Sequence, residues 1–383
     1  MFQRIQRCEL GKRNLADIVF LLVLAAALFV PMLRIDTQSV KSARENRTLA
    51  AFPPLFENGG INDSFGASFD EWFGDRFFGR EFVIQGYDDL KFKVNKKISG
   101  NFAIDGGGWI FTTSDNSVRN YQNLDLFSEE ELARIAGFLS RMDDWCRANG
   151  KRFYYVIAPD KNKVYGEFFP GYIAKVNPDS ASRANQLVRH LRENTRVDAF
   201  YLYDDLMEHK KDGLLYYRDD THWNALGAYF GYLAIVGRIA RDFPDVVPVR
   251  ARGMRMESVP EGEAGDLVNA AAGIKTAGEG YVRPVVEENF DCNTGDRSGR
   301  HIDVHCTNER GRRGIAVFRD SFSNALVPYL GATFARADLY RYDRDRMTPA
   351  VLAEVKSGAD IVVLEQVERL LPDLLKMKFW AED

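Results

Sequence analysis

Two short stretches of the chain contain residue types that could do covalent chemistry, and the first holds a carboxylate beside an imidazole. In RDDTHWN, residues 218–224, Asp220 and His222 lie two positions apart, so in an extended backbone both side chains point to one face. A neighbouring carboxylate fixes the imidazole tautomer and stabilises the imidazolium, as a general base acting on a hydroxyl requires. Asp219 competes for the acid role, but strand alternation favours Asp220. Taken alone, this motif fits a solvated or core histidine better than a catalytic one.

The second stretch is VFRDSFSNAL, residues 317–326, where a serine follows an apolar strand. The strand ends at Phe318, and Ser321 lies at the turn where a helix is predicted to begin. A serine there presents its hydroxyl at the carboxyl edge of the sheet, and the N–H groups of the new helix can stabilise an oxyanion. By itself, the motif fits a helix N-cap at Asp320 or Ser321 better than a nucleophile. Together, the two motifs supply a nucleophile, a base and an orienting acid.

The elements that must position these residues alternate between strands and helices, which predicts an α/β fold with a parallel sheet. Ser128 and Glu131 have capping-box spacing at the start of one helix. An amphipathic helix is predicted within 61–97, and residues 245–310 interrupt the alternation as an irregular insertion. The predicted strands are 152–158, 198–203, 314–319, 333–341 and 359–365, and the predicted helices are 127–149, 180–194 and 224–241.

The composition indicates a folded protein that does not bind nucleic acid. The chain has 383 residues, of which 45% are hydrophobic, and 51 basic residues against 55 acidic ones give a net charge of −4. Nucleic-acid binding needs a concentrated positive field, which this balance does not favour. We predict three parts: a cytoplasmic stub and anchor at 1–34, a linker with the amphipathic helix at 35–105, and the catalytic domain at 106–383.

An apolar run from Leu15 to Leu33 predicts a single transmembrane helix. Lys12 and Arg13 lie close to its N-terminal end, which favours a cytoplasmic N-terminus and a domain outside the cytoplasm. A cleaved signal peptide and a buried core helix are the alternatives.

Three cysteines would then lie in an oxidising compartment, where Cys292 and Cys306 flank a polar loop. Either a disulfide or two free thiols is compatible with this spacing. His305 lies beside Cys306, but without a second cysteine or histidine pair at ligand spacing we expect no metal site. No cofactor is expected.

The order of several motifs resembles the SGNH-hydrolase-like family of alginate O-acetyltransferases, periplasmic proteins that acetylate exopolysaccharides. DTHW at 220–223 precedes DSF at 320–322, and the likeness extends over most of the chain. The resemblance implies that Asp220 is the acid, His222 the base and Ser321 the nucleophile. The family usually has Gly-Asp-Ser, whereas this chain has Arg319 before Asp320. The accompanying motifs are ENRTLAAFP (45–53), FDEWFGDRFFGRE (69–81), GGGWIF (106–111), APDKNKVYGEFFP (158–170) and LEQVERLL (364–371).

The resemblance implies acetyl transfer to hydroxyls of an exopolysaccharide through an acyl-serine intermediate. It also implies a membrane-bound O-acyltransferase as the donor partner, and an inner-membrane protein with its C-terminal domain in the periplasm. The alternatives are a carbohydrate acetyl esterase with the same triad and a non-catalytic polysaccharide-binding component. Weaker substrate-binding candidates are Lys161, Tyr165, Trp223 and Arg319; a surface lysine, a packed tyrosine and a core tryptophan are the structural alternatives.

Overall fold

The chain divides into two compact units, Met1–Asn95 and Lys96–Asp383, and each is described by itself. The structure is a computed structural model. It describes residues 15, 17–26, 29–30, 35–37, 41–42, 47–57, 60–80, 102–104, 108–114, 116–258, 267, 280–294, 303–342 and 347–377.

The first unit is built around one helix, Phe65–Arg76, and two short strand pairs. Phe65 and Phe69 stack on the same side of the helix, and Phe52 meets them edge-on. The helix predicted within 61–97 is present over Phe65–Arg76, and positions 81–97 lie outside the described residues. The strand pairs are Lys41–Ser42 with Arg47–Thr48 and Phe56–Glu57 with Gly60–Ile61.

The sequence predicts a membrane anchor over 15–33. In the described part of the chain, no helix combines the length and the apolar character needed to cross a bilayer. Positions 16, 27–28 and 31–33 of the predicted segment lie outside the described residues.

The second unit contains a seven-stranded sheet and two separate strand pairs. In chain order the strands are β1 (Phe102–Ile104), β2 (Ile110–Thr112), β3 (Arg152–Ala158), β4 (Asp198–Tyr201), β5 (Gly253–Ser258), β6 (Gly280–Val285), β7 (Asp291–Thr294), β8 (Val304–Thr307), β9 (Arg312–Arg319), β10 (Phe334–Arg341) and β11 (Ile361–Val367). The strand order in the sheet is β7-β8-β10-β9-β11-β3-β4. The pairs β1–β2 and β5–β6 are separate antiparallel hairpins.

The sheet is mixed, which corrects the prediction of a parallel sheet. Strands β10, β9, β11, β3 and β4 are parallel, but β8 pairs antiparallel with β10, and β7 pairs antiparallel with β8. Strands β7 and β8 both come from 245–310, the region predicted to be irregular. A disulfide joins Cys292 to Cys306, which lie opposite each other on these strands, whereas Cys146 is free and buried.

Helices cover both faces of the sheet, giving three layers. Alternate residues of β3 supply the two cores: Tyr154 and Val156 face one side, and Tyr155 and Ile157 face the other. The helices of this unit are α1 (Ser117–Tyr121), α2 (Glu129–Ala148), α3 (Lys161–Val164), α4 (Arg183–Asn194), α5 (Tyr203–His209), α6 (Ala225–Asp242), α7 (Val327–Thr333) and α8 (Pro349–Gly358). Helices α5, α6 and α7 contribute to the first core, and α2, α4 and α8 contribute to the second.

Most predicted elements are present with small shifts at their ends. Strand β3 matches its predicted bounds, and the capping box at Ser128 and Glu131 opens α2 as predicted. The predicted helix after Ser321 begins instead as a 3₁₀ turn, Phe322–Leu326, before α7. The carboxyl ends of β3, β9 and β11 meet at one edge of the sheet, where the two chemical motifs also lie.

Candidate active site

Ser321, His222 and Asp220 form one hydrogen-bonded chain, here called the relay. The Ser321 Oγ lies 2.7 Å from His222 Nε2, and His222 Nδ1 lies 2.6 Å from Asp220 Oδ1. The His222 and Asp220 side chains are 25% and 20% exposed, so solvent reaches this end of the sheet. The structure thus brings the two motifs together, although a hundred residues separate them in the sequence.

The loop at 217–222, here called the Asp220 loop, is closed at its base by a bridge between Tyr216 and Trp223. The carboxylate of Asp220 also accepts a hydrogen bond of 2.9 Å from the backbone N–H of His222. One carboxylate oxygen therefore orients both the backbone and the ring of the same histidine. Residues 218–222 are bends and not strand, so the geometry comes from this local side-chain turn and not from the strand alternation expected from the sequence.

The buried side chain of Lys161 donates hydrogen bonds to the backbone of the Asp220 loop. The side chain is buried, and its ammonium donates to the carbonyl oxygens of Ile110, Tyr217, Arg218 and Asp220 at 2.5, 3.2, 3.0 and 2.6 Å. A charged donor satisfies several inward-pointing carbonyls that would otherwise be buried without partners. The sequence suggests Lys161 as a sugar ligand, and the structure places its charge on the backbone of the Asp220 loop.

Asp320 fixes the turn that carries Ser321. One of its carboxylate oxygens accepts from the backbone N–H of Phe322 at 2.8 Å, and the other accepts from Val367 N–H at 2.7 Å. The aspartate therefore ties the end of β9 to the end of β11 directly beside the serine. The backbone N–H of Ser321 has no hydrogen-bond acceptor within the part of the chain that the structure describes.

Arg319 lies beneath this turn. It is only 2% exposed, and its Nη1 donates to Asp320 O at 3.1 Å and to Asn324 Oδ1 at 2.5 Å. Burial lowers the pKa of its guanidinium, and the nearby charge of Arg341 acts in the same direction. The arginine that replaces the usual glycine is thus directed into the protein, and Ser321 still reaches His222.

Trp223 and Tyr165 are both buried and both hydrogen-bonded to backbone. Trp223 Nε1 donates to Phe322 O at 2.9 Å, which joins the two motifs, and its ring is packed in the core. Tyr165 accepts from Leu215 N–H at 2.8 Å and stacks on Trp109. Of the four weaker candidates, none presents its polar group to open solvent at the relay in this conformation.

A buried acidic layer connects the loops that follow β3 and β11. Asp160 pairs with Arg369 at 2.5 Å, and its backbone N–H donates to Glu368 at 2.9 Å. Tyr201 donates to the other oxygen of Glu368 at 2.9 Å. Burial raises the pKa of Asp160, and burial raises that of Glu368 to about 7. The Arg369 guanidinium lies over the Phe322 ring, so this layer reaches the residue after the serine.

The arrangement can activate a hydroxyl. His222 is placed to accept the Ser321 proton while Asp220 balances the charge that develops on the ring. Across the described residues, no group of three or more His, Cys, Asp or Glu side chains is arranged to hold a metal ion. Sequence reasoning missed the roles of Lys161 and Asp320 in holding the loops, because their partners are backbone groups that carry no sequence signal.

Comparisons with known proteins agree with this architecture. The family model described as "SGNH hydrolase-like domain, acetyltransferase AlgX" matches residues 105–298, which include Asp220 and His222 and end before Ser321. A search of the curated proteins finds no match.

Among solved structures, a DHHW family protein from Eubacterium siraeum is similar, with a TM-score of 0.52 and 16% identity over 72% of this chain and 93% of that one. The O-acetyltransferase domain of Pseudomonas putida AlgJ has a TM-score of 0.44 and 18% identity over 73% and 94% of the two chains. Bacillus cereus PatB1 has a TM-score of 0.48 and 16% identity over 72% and 99%. The first of these supports the fold. The family model covers half of the sequence, and the chain therefore belongs to the AlgX family of SGNH hydrolase-like acetyltransferase domains.

Proposed function

We propose that this protein is an O-acetyltransferase that moves an acetyl group onto hydroxyls of an exopolysaccharide. The observation that carries the proposal is the relay, in which Ser321, His222 and Asp220 are joined by hydrogen bonds of 2.7 and 2.6 Å. Family membership supports acetyl transfer as the chemistry. The polysaccharide acceptor and a membrane-bound O-acyltransferase as acetyl donor follow from the resemblance and belong to the proposal.

The reaction divides into two acyl transfers. His222 takes the Ser321 proton as the serine oxygen attacks the acetyl carbonyl, and the N–H of Ser321 stabilises the tetrahedral oxyanion. The donor oxygen leaves with the proton from His222, and the acetyl group remains on the serine. A sugar hydroxyl then gives its proton to His222 and attacks the acyl-serine, and His222 returns the proton to the serine oxygen.

Hydrolysis of acetyl esters is the second candidate, and the exposure of the relay favours it. With His222 a quarter exposed, water can reach the acyl-serine whenever no sugar covers it. The protein would then be a carbohydrate acetyl esterase with the same residues in the same roles.

We further propose that the domain works in an oxidising compartment such as the periplasm. The Cys292–Cys306 disulfide supports this, because structural disulfides persist outside the reducing cytosol. Purifying the protein from cells and counting its free thiols before and after reduction tests this proposal. We expect two additional thiols after reduction, and an unchanged count would contradict it.

The activity is tested with the full chain and 4-nitrophenyl acetate, with and without an oligosaccharide acceptor. We expect ester turnover that Ser321→Ala abolishes, and acetylated oligosaccharide detectable by mass spectrometry. Ser128→Ala is the matched control, because this helix cap is remote from the relay and should retain full turnover. Release of acetate without acetylated sugar would establish the esterase instead. A serine-reactive sulfonyl fluoride that fails to label Ser321, together with no turnover, would favour a non-catalytic binding component.

A further inference from the structure

The β5–β6 hairpin is a rigid addition beside the Asp220 loop. The segment leading into it is fixed to α6 by two tyrosine hydroxyls: Tyr232 accepts from Val249 N–H at 2.6 Å, and Tyr229 accepts from Ala251 N–H at 2.9 Å. Tyr281 of β6 is buried. These contacts anchor the hairpin to the core, so its stability does not rest on its own two strands alone.

The hairpin contacts the loop that carries Asp220 and His222. The rings of Tyr281 and Tyr217 meet edge-to-face with centroids 4.5 Å apart. Tyr217 in turn donates its backbone N–H to His222 O at 3.4 Å. Burial raises the pKa of Tyr217, the charges of Asp220 and Glu257 raise it further, and Arg283 opposes them. The relay and the charged residues of the hairpin thus act on the same phenol.

The face of the hairpin that carries Tyr281 also carries two arginines. The register places Arg283 directly opposite Arg255, and Tyr281 directly opposite Glu257, so all four side chains point to one side. Like charges at directly opposed positions destabilise a strand pair. Arg283 pairs with Glu257 at 3.4 Å, while the exposed Arg255 has no hydrogen-bond or ion-pair partner among the described residues. These four positions thus hold two guanidinium groups and one carboxylate, so their net charge is positive.

We propose that this face is an anion-binding subsite in which Arg283 and Arg255 hold a carboxylate or phosphate group of an anionic acceptor saccharide. The planar guanidinium fork matches both groups with paired hydrogen bonds. An anion there would relieve the repulsion between the opposed arginines, which supplies a reason for their pairing. That the bound saccharide is the acetyl acceptor rests on the proposed function. The Tyr217–Tyr281 contact connects the subsite to the relay.

The experiment measures saccharide binding to full-length protein carrying Ser321→Ala, by titration calorimetry at low and high salt. The probes are a hexuronic acid hexamer, phosphorylated maltohexaose and neutral maltohexaose. We expect at least one anionic probe to bind more tightly than the neutral one, and its binding to weaken as salt is added. The hexuronate and phosphate arms identify which anion the subsite takes. Equal binding of neutral and anionic probes would overturn the inference.

Further variants in the same background locate the site. We expect Arg283→Gln to weaken binding of the anionic probe about tenfold, as loss of a charge-assisted hydrogen bond should. Arg255→Gln should have a smaller effect in the same direction, and Arg283→Lys should retain the salt dependence. Arg196→Gln removes another exposed arginine with a carboxylate partner, Asp144, and should change nothing. Loss in the two hairpin glutamine variants no greater than in this control would overturn the inference.

Binding does not require turnover, so the two proposals fail separately. If wild-type protein turns over 4-nitrophenyl acetate but no anionic preference is found, the subsite is wrong and the acetyl chemistry stands. If the anionic preference is found but Ser321→Ala retains wild-type turnover, the subsite stands and the relay is not the catalytic centre.

Discussion

Two of the histidine–aspartate pairs in the described part of the chain are hydrogen-bonded through Nδ1 with nearly equal geometry at the sheet and its carboxyl edge, and one of these two has a serine on its far side. His222 Nδ1 lies 2.6 Å from Asp220, and His305 Nδ1 lies 2.9 Å from Asp338. The second ring nitrogen of His222 meets Ser321 Oγ, whereas within the described residues no hydroxyl is bonded to His305 Nε2. A carboxylate beside an imidazole is therefore not sufficient evidence for catalysis.

The two aspartates differ in what else they bind. Asp220 also accepts a hydrogen bond from the His222 backbone N–H, which helps to orient the ring. The buried Asp338 instead also accepts a hydrogen bond from Arg336 Nε at 2.6 Å. His305 and Asp338 face each other on neighbouring strands, in a regular part of the sheet. The Asp338 pair thus joins two neighbouring strands, and the Asp220 pair orients an imidazole toward a serine hydroxyl at a loop.

The largest expected difference between the pairs is in activity. His222→Ala should lower kcat for 4-nitrophenyl acetate by about 10⁴–10⁶-fold, because removal of a triad base leaves only the background catalysis of the site. His305→Ala should stay within about twofold of wild type, since it touches no reacting group. Circular dichroism of both variants serves as the folding control. Equal losses in the two variants would remove the distinction between the pairs.

Substitution of the two aspartates should also have different effects, on activity for Asp220 and on stability for Asp338. Asp220→Asn keeps the shape but favours the wrong imidazole tautomer, so kcat should fall about 10³–10⁴-fold with little change in stability. Asp338→Asn should leave kcat near wild type and lower the free energy of unfolding by about 1–3 kcal/mol, because a buried charge partner is lost. Chemical denaturation measures the second effect, and a kcat loss of 100-fold in Asp338→Asn would contradict the assignment.

Removing the disulfide should affect the region of His305 first. The double variant Cys292→Ser with Cys306→Ser releases the loop that the bond closes, and the expected loss of stability is about 3 kcal/mol by chain-entropy arguments. Turnover should persist at temperatures below the lowered midpoint, because the relay lies in the turn after β9 and in the Asp220 loop. Cys146→Ser is the comparison for a cysteine outside the bond. Loss of turnover in a still-folded double variant would show that β7 and β8 support the relay directly.

The smallest effect concerns the pH dependence of stability. The hydrogen bond to Asp338 raises the pKa of His305 above its ordinary value of 6.5. The stabilisation is therefore fully present below that value and is lost as the pH rises through the raised pKa. Because His305 is partly exposed, the contribution should be below about 1 kcal/mol. Denaturation of His305→Gln and wild type across pH 5–9 should show curves that converge at high pH, and a constant gap would contradict this account.

Sequence patterns were sufficient where side chains alone determine the structure. A continuous run of aromatic and β-branched residues located β3, and the spacing of Ser128 and Glu131 located the start of α2. The types and spacing of Asp220, His222 and Ser321 indicated a possible relay, and the structure brings them together. That they catalyse acetyl transfer stays a prediction until it is measured.

The parts that the sequence could not supply depend on backbone partners and on distant pairing. The short polar strands β7 and β8 have no apolar run to reveal them, and they join the sheet only by pairing with β10. The inward direction of Arg319 depends on Asn324 and on a backbone carbonyl, so its residue type alone suggested a position in the site.

The four carbonyl oxygens around Lys161 resemble the shell that a loop wraps around a bound calcium ion, except that the cation is carried on a side chain. A loop held by a dissolved ion orders and disorders with the supply of that ion. Here the charge is covalently tethered, so no dissolved cation is needed at this position. A protein working outside the cytoplasm, where cation levels are not buffered by the cell, would then keep its base oriented without a supply of such an ion.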